Sequence, residues 1–199
     1  MQKITFFCLI ALQLATAQSY KITYQKASNG KVIEPQDLTL VFTDKNATLI
    51  TTASIQDRKA AFPFEETWVN HTQQKIYQKG YLGEKRTALT VDSIALAKQT
   101  FELLPETKTI LGYPCKKAKT IINSNTLELW YTDALGVKGS PSTLGQNLGL
   151  VLEIGRNGNF YTTAIKIEKQ KTKQPVTLDI AQTPIDLLSY RRLSGLRHG

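Results

Sequence analysis

The chain has 199 residues, of which 41% are hydrophobic and 21% are charged, and its formal net charge is +9. This balance is typical of a globular protein of one or two domains and excludes a disordered chain, a collagen-like chain and a coiled-coil rod. The positive charge suits an anionic membrane or an acidic glycan surface. We expect no nucleic-acid partner, because the basic residues are scattered and no aromatic residues alternate with them.

The first 17 residues have the three parts of a secretory signal peptide. Lys3 gives a positive start, residues 4–14 are apolar, and Ala15-Thr16-Ala17 supplies the small residues of a cleavage site. The apolar run is shorter than the about 20 residues that a membrane-spanning helix needs, and no later segment is apolar enough to span. We therefore expect an exported protein of the periplasm or cell surface that is cleaved after Ala17 and is not an integral membrane protein.

After residue 17, apolar and polar residues alternate with a period of two, which predicts half-buried β-strands. The clearest sets are Tyr20, Ile22 and Tyr24; Leu38, Leu40 and Phe42; Leu127, Leu129 and Tyr131; and Leu150, Leu152 and Ile154. Two pairs, Asn29-Gly30 and Asn157-Gly158, predict hairpin turns, because a type I′ turn needs a positive φ at both central residues.

Helical patterns are few. Residues 91–104 are compatible with a helix capped by Asp92 or Ser93, and residues 184–193 with a short closing helix. We therefore predict a mainly β fold, a single antiparallel, strongly curved sheet or half-barrel with one or two short helices. The predicted domain spans residues 18–183 and is followed by a basic tail, residues 184–199.

The sequence contains few residues that point to catalysis. Its two histidines, His71 and His198, are far apart, and no metal-binding or phosphate-binding motif is present. We therefore expect no metal, no cofactor and no catalytic residue. Cleavage after Ala17 leaves Cys115 as the single cysteine, so no internal disulfide can form, and such a cysteine is usually a small buried residue. Cys115 with His71 is the one conceivable thiol and base pair, which leaves a thiol-dependent enzyme as an alternative.

Three further motifs concern acidic and modifiable residues. Glu65 and Glu66 are adjacent, so on a strand they point to opposite faces and do not form an acid and base pair by themselves. Asn46-Ala47-Thr48 and Asn70-His71-Thr72 match the N-glycosylation pattern. Asp92-Ser93-Ile94 matches the Asp-Ser/Thr-apolar pattern of a bacterial O-glycosylation system.

Large apolar residues lie on both faces of the predicted strand at residues 127–132. Tyr131 is on one face and Trp130 on the other, so both faces must be covered, either by helix and loop or by a sheet that curls around a cavity. Core packing is one interpretation. In the other, Trp68, Trp130 and Tyr131 line a concavity and bind a ligand or a partner.

Three segments in order resemble the core of the GLPGLI family of small exported bacterial proteins. They are KTILGYPCKKA (108–118), LELWYT (127–132) and SPSTLGQNLGLVLEI (140–154). Their order also resembles exported domains related to the LolA-like lipoprotein-carrier folds. The resemblance implies an extracytoplasmic β-domain that is accessory to outer-membrane receptor systems, and it transfers no catalytic residue.

On this basis we predict a non-enzymatic envelope protein that binds an apolar ligand or an outer-membrane protein. A purely structural protein-protein interaction module is an alternative. A carrier should contain a continuous apolar cavity, whereas an interaction module should have a filled core and an exposed apolar or edge-strand patch.

Overall fold

The structure, a computed structural model, describes residues 18–170 and 182–195. The predicted signal peptide, residues 1–17, therefore lies outside the described residues. The secondary structure consists of β1 (Tyr20–Ser28), β2 (Lys31–Ile33), β3 (Thr39–Thr43), β4 (Ala47–Thr52), α1 (Ala53–Gln56), β5 (Phe64–Asn70), β6 (Lys75–Gly83), β7 (Arg86–Asp92), β8 (Glu102–Ile110), β9 (Tyr113–Ile122), β10 (Asn125–Thr132), β11 (Leu150–Arg156), β12 (Phe160–Lys169) and α2 (Leu187–Ser194).

The strands form one antiparallel, 12-stranded sheet with the order β7-β6-β5-β4-β3-β1-β12-β11-β10-β9-β8, and β2 pairs with β1. Most neighbours in the sheet are also neighbours in the chain, as short antiparallel connections allow. The exception is β1, which pairs with β3 on one side and with the last strand, β12, on the other. The sheet stays open, with β7 and β8 at its edges. These features confirm the predicted fold class, a mainly β protein with a single antiparallel sheet and two short helices.

Both predicted hairpin turns are confirmed. Asn29 and Gly30 have φ values of 48° and 74° between β1 and β2, and Asn157 and Gly158 have φ values of 53° and 70° between β11 and β12. Asparagine and glycine tolerate this left-handed backbone better than other residues. The registers of the β1–β2 and β11–β12 hairpins are therefore set by local sequence.

The predicted helix over residues 91–104 is wrong. The capping residue does act as expected, since Asp92 Oδ1 accepts hydrogen bonds from the two backbone N–H groups at the start of the turn, at 2.9 and 2.8 Å. One turn later the chain leaves the helical path, because the Gln99 side chain is tied to a distant loop. Its Nε2 donates to the Thr143 carbonyl at 2.9 Å and its Oε1 accepts from the Gly145 N–H at 3.0 Å. Tertiary contacts here override local helix propensity.

Helix α2 covers the β7 edge of the sheet. Asp186 caps its first turn by accepting a hydrogen bond from Ser189 N at 2.9 Å, and Gly195 ends it with a φ of 61°. Before the helix, Ile185 N donates to the Leu89 carbonyl of β7 at 2.8 Å. The division into a domain of residues 18–183 and a tail of residues 184–199 stays a prediction. No helix in the described part of the chain is both long enough and apolar enough to cross a membrane.

The close approach of α2 to the sheet depends on a glycine in β6. A Cβ atom at Gly80 would lie 3.0 Å from the hydroxyl oxygen of Tyr190, which is fully buried. We expect Gly80→Ala to lower the free energy of unfolding by about 1–3 kcal/mol, as overpacking of a filled site does. Urea denaturation measures the change. Gly83→Ala in the same strand is the control, because nothing lies within 4 Å of that position; equal losses in the two variants would contradict the packing explanation.

Candidate functional site

A cleft of about 560 Å³ opens between α2, strands β5 to β7 and the loop at residues 141–143. Its volume is typical of a pocket for a small ligand. We call it the α2 cleft. The polar side chains that line it are Glu65, Thr67, Gln78, Thr90, Asp92, Ser142, Thr143 and Arg191.

Strand alternation and cross-strand pairing bring these polar residues to one face. Glu65 and Thr67 are two residues apart on β5 and so share a face, Thr67 pairs with Gln78 of β6, and Gln78 pairs with Thr90 of β7. The face continues onto Asp92, two residues beyond Thr90. One face of strands β5 to β7 therefore supplies five of the eight polar residues that line the cleft.

The Glu65 carboxylate is held in place by two elements. Its Oε1 accepts a hydrogen bond from Gln78 Nε2 at 3.1 Å, and its Oε2 accepts one from the Tyr190 hydroxyl of α2. Burial, and then the contact with Glu65, raises the pKa of Tyr190 above its ordinary value, so the hydroxyl keeps its proton and remains a donor. The carboxylate is thus fixed in orientation at the cleft wall.

The other charged groups lie nearer solvent. Arg191 is exposed on α2 and forms no ion pair within residues 18–170 and 182–195. Asp92 directs one carboxylate oxygen into its turn. The cleft therefore combines hydrogen-bond acceptors, a carboxamide and a guanidinium group with apolar side chains such as Ile50, Ile76 and Leu187. This arrangement suits a ligand that carries hydroxyl or amide groups as well as apolar faces.

A second cleft, of about 340 Å³, lies on the other side of the same loop. It is bordered by β9 to β12 and shares Pro141 and Ser142 with the α2 cleft. We call it the β12 cleft. Its lining is mainly apolar, with Ile122, Leu127, Leu144, Ile154 and Phe160 as the large apolar side chains.

The three residues predicted to bind a ligand are not brought together. Trp68 is 8% exposed and packs with Tyr77 and Leu89, whereas Tyr131 is 6% exposed and belongs to a separate cluster with Leu129. Neither residue lines the α2 cleft or the β12 cleft.

Trp130 is half-buried and has its own environment. Lys108 Nζ lies 4.4 Å and Lys117 Nζ 5.5 Å from the centre of its ring, as in cation–π contacts. Trp130 and Tyr131 pack in different clusters, as expected for adjacent residues of a strand. Ligand binding by Trp68, Trp130 and Tyr131 stays a prediction.

Cys115 is buried, as its sequence context predicts. It is 1% exposed, and its Sγ lies 3.4 Å from the Tyr113 carbonyl oxygen. Burial raises the pKa of the thiol above its ordinary value, which makes it a poor nucleophile at neutral pH. His71 contacts Thr48 instead, with 2.9 Å between the ring Nε2 and the threonine hydroxyl.

The role of Glu65 was missed by sequence reasoning. The adjacent glutamates do point to opposite faces, as predicted: Glu66 accepts hydrogen bonds from Thr51 at 2.9 Å and Tyr81 at 3.1 Å, away from the partners of Glu65. Their adjacency excludes an acid and base couple within the pair, but it does not exclude a separate role for Glu65. The sequence does contain one signal for this role. Glu65 and Thr67 are polar residues on the same face of β5, and Gln78 lies on the next strand, β6, where it pairs with Thr67.

Comparison with known proteins gives one consistent result. The family model described as "N-glycanase peptide, N-terminal domain" matches residues 22–192. Two solved structures of PNGF-II, in the C2 and P21 space groups, match with TM-scores of 0.84 and 0.83, identities of 40% and 41%, and 90% of this chain covered. This chain covers 33% of each PNGF-II chain, about a third of its length. A search of curated proteins found no match.

These findings overturn the resemblance to the GLPGLI family and to LolA-like domains. The segments that carried it, in residues 108–154, fall largely on strands β8 to β11, consecutive in the chain, and alternating residues are common to strands of many families. Three predictions made from that resemblance are therefore also wrong: a non-enzymatic protein, an apolar ligand, and an accessory role for outer-membrane receptors. Neither the interaction module nor the thiol-dependent enzyme fits better, since the matching family is that of an N-glycanase. The chain belongs to the N-glycanase N-terminal domain family.

Proposed function

We propose that the protein takes part in the enzymatic removal of N-linked glycans and that its α2 cleft binds the glycan. The observation that supports this most strongly is the extent of the family match. Residues 22–192 include every residue that lines the α2 cleft, from Ile50 on β4 to Arg191 on α2. PNGF-II is about three times longer than the matched domain, so the proposal concerns the part of the reaction that this domain serves.

The chemistry of the α2 cleft favours a sugar. Each sugar hydroxyl both donates and accepts hydrogen bonds, so it pairs with carboxylate, carboxamide and guanidinium groups alike. Hydrogen bonds to a charged partner are among the stronger ones in proteins. Because Tyr190 and Gln78 already orient the Glu65 carboxylate, a glycan would not have to order that side chain on binding.

The test is isothermal titration of residues 18–199, the chain without the proposed signal peptide, with a free N-glycan that contains the core chitobiose. We expect Glu65→Gln to weaken binding about 10-fold to 100-fold, because the variant replaces a charged acceptor by a neutral amide. Arg191→Ala should weaken glycan binding about 10-fold. Because Arg191 is exposed, this substitution should not disturb folding. Arg192→Ala is the matched control, since Arg192 is the next residue of α2 and does not line the cleft.

Circular dichroism and urea denaturation establish that each variant is folded. The proposed site would be contradicted if the wild type, Glu65→Gln and Arg191→Ala all bound the glycan with the same affinity. No heat of binding to the glycan in the wild-type protein would contradict the proposed function itself.

We also propose export to the periplasm or cell surface. The support is the sequence of residues 1–17, in which Lys3, the apolar run and Ala15-Thr16-Ala17 follow in the order of a signal peptide. Mass spectrometry of the protein from its native producer should find a mature chain that begins at Gln18. A chain that retains residues 1–17 would contradict the proposal.

A further inference from the structure

One of the three glycosylation motifs in the sequence keeps its acceptor side chain accessible in the folded chain. Asp92-Ser93-Ile94 lies where β7 ends and the turn at residues 93–98 begins. It is the single place in the 199 residues where an aspartate is followed by a serine or a threonine. Connecting segments run over the surface of a protein, where a modifying enzyme can reach them.

The hydroxyl group of this motif is free to react. Ser93 is exposed, and its Oγ forms no hydrogen bond with any residue in the ranges 18–170 and 182–195. The apolar residue of the motif, Ile94, is 56% exposed. Both the acceptor atom and the side chain after it are therefore open to a second protein.

The Asp92 carboxylate gives the motif a fixed shape. Its Oδ1 accepts hydrogen bonds from the backbone N–H groups of Ile94 at 2.9 Å and Ala95 at 2.8 Å. Its second oxygen, Oδ2, has no hydrogen-bond partner in the part of the chain that the structure describes. A charged acceptor of this kind forms strong hydrogen bonds with a donor group of an enzyme. The turn thus presents a carboxylate oxygen, a hydroxyl and an apolar side chain together.

The two N-glycosylation motifs are less accessible in the folded chain. In the first, the Thr48 side chain is fully buried, and its hydroxyl oxygen lies 2.8 Å from that of Thr43. In the second, Asn70 Oδ1 accepts a hydrogen bond from the Gln73 N–H at 2.8 Å, which holds the amide in its own turn. An enzyme that acts on the folded protein would have to break these contacts, whereas the Ser93 hydroxyl is already exposed.

We propose that Ser93 is O-glycosylated after export by a glycosyltransferase that recognises Asp92-Ser93-Ile94. The donor is a sugar activated through a diphosphate. Its bond from C1 to the diphosphate oxygen breaks, a bond from C1 to Ser93 Oγ forms, the hydroxyl proton passes to a base of the transferase, and the diphosphate leaves. The inference goes beyond glycan binding in the α2 cleft, and of the proposals above it rests only on export.

The modified serine would lie at the rim of the α2 cleft. Asp92 and Ala95 line the cleft, whereas Ser93 and Ile94 do not. A sugar on Ser93 would therefore be attached outside the lining of the cleft, on a surface that faces water.

The test measures the mass of the protein purified from its native producer. We expect the wild type to be heavier than residues 18–199 by the mass of a glycan. Fragmentation of the tryptic peptide at residues 87–98 should place this mass on Ser93 and not on Thr87 or Thr90. Ser93→Ala should lose the added mass completely. Ser124→Ala is the matched control and should keep it, because Ser124 is also an exposed turn serine but follows an asparagine.

Two further variants test recognition of the motif while Ser93 is kept. Asp92→Asn retains a side-chain oxygen that can cap the turn, so the protein should stay folded while the carboxylate charge is lost. Ile94→Gln replaces an exposed apolar side chain by a polar one. Both variants should be largely unmodified, and circular dichroism establishes that each is folded.

The outcomes separate this inference from the proposed export. A wild-type chain that begins at Gln18 and has its unmodified mass would overturn O-glycosylation and leave export intact. A chain that retains residues 1–17 and carries no glycan would contradict both. An added mass that persists in Ser93→Ala, or that persists in full in both Asp92→Asn and Ile94→Gln, would also overturn the inference.

Discussion

Gly145→Ala is expected to lower the free energy of unfolding by about 2–4 kcal/mol, because a side chain at this position meets both packing and backbone constraints. An added Cβ would lie 2.5 Å from Leu129 Cδ2 and 3.2 Å from Val151 Cγ2, and both of these residues are fully buried. Gly145 also has a φ of 77°, a left-handed conformation that costs a residue with a side chain about 1 kcal/mol. Overpacking adds about 1–3 kcal/mol.

Gly136→Ala separates the two effects. Gly136 has a similar φ of 63°, but nothing lies within 4 Å of its added Cβ, so this variant should lose only about 1 kcal/mol. Urea denaturation followed by tryptophan fluorescence measures both variants. Since the loop that carries Gly145 borders both clefts, Gly145→Ala should also weaken binding of the glycan. A loss of stability no larger than that of Gly136→Ala would contradict the packing at Leu129 and Val151.

His71 is expected to make the protein lose about 3 kcal/mol of stability as the pH falls from about 7 to about 4. The residue is 9% exposed, its Nε2 is 2.9 Å from the Thr48 hydroxyl, and its buried Nδ1 has no hydrogen-bond partner among the described residues. Burial lowers the pKa of the imidazole from its ordinary value to about 4; the nearby Lys138 acts in the same direction and Asp44 opposes it.

Acidification lowers the stability because the unfolded chain binds a proton at His71 that the folded chain does not bind. Between about pH 6.5 and pH 4 the unfolded chain has a protonated His71 and the folded chain does not, so acidification favours unfolding throughout this window. His71→Gln removes the titrating group. We therefore expect the free energy of unfolding to fall less in the variant than in the wild type between these two pH values, by about 3 kcal/mol. Parallel pH dependences in the two proteins would mean that the folded-state pKa of His71 is not lowered.

Features that depend on neighbouring residues could be predicted from the sequence. The Asn-Gly turns, the alternating strands and the burial of Cys115 follow from local patterns, and the structure confirms each of them. The capping role of Asp92 was also visible. The prediction that a helix follows Asp92 is wrong, because the Gln99 side chain forms hydrogen bonds with a loop more than 40 residues away.

The α2 cleft could not be predicted from local patterns, because it is formed by segments that are far apart in the sequence. The Tyr190 hydroxyl and the Glu65 carboxylate are 125 residues apart in the chain, and no local pattern pairs them. The loop between the clefts is placed by similar contacts, including that of Thr43 with the Lys138 carbonyl, 95 residues away. In the sequence Glu65 stands beside Glu66, whereas the hydrogen-bond partners of its carboxylate come from β6 and α2.

The family could not be identified from strand motifs either. The segments around Cys115, Trp130 and Leu150 have alternating apolar residues and a few aromatic residues, and these features are enough to form strands in proteins of many families. The match to the N-glycanase domain instead extends over residues 22–192, which includes the turns, the loop and α2 that shape the clefts.

Glycan binding in the α2 cleft is tested most directly by an amide ¹H–¹⁵N spectrum of the full chain recorded during titration with a free N-glycan. We expect the amide signals of residues around Glu65, Gln78 and Arg191 to shift together and to saturate with one common affinity. Shifts confined to strands β8 and β9, or no shift at any glycan concentration, would show that the glycan is not bound in the α2 cleft.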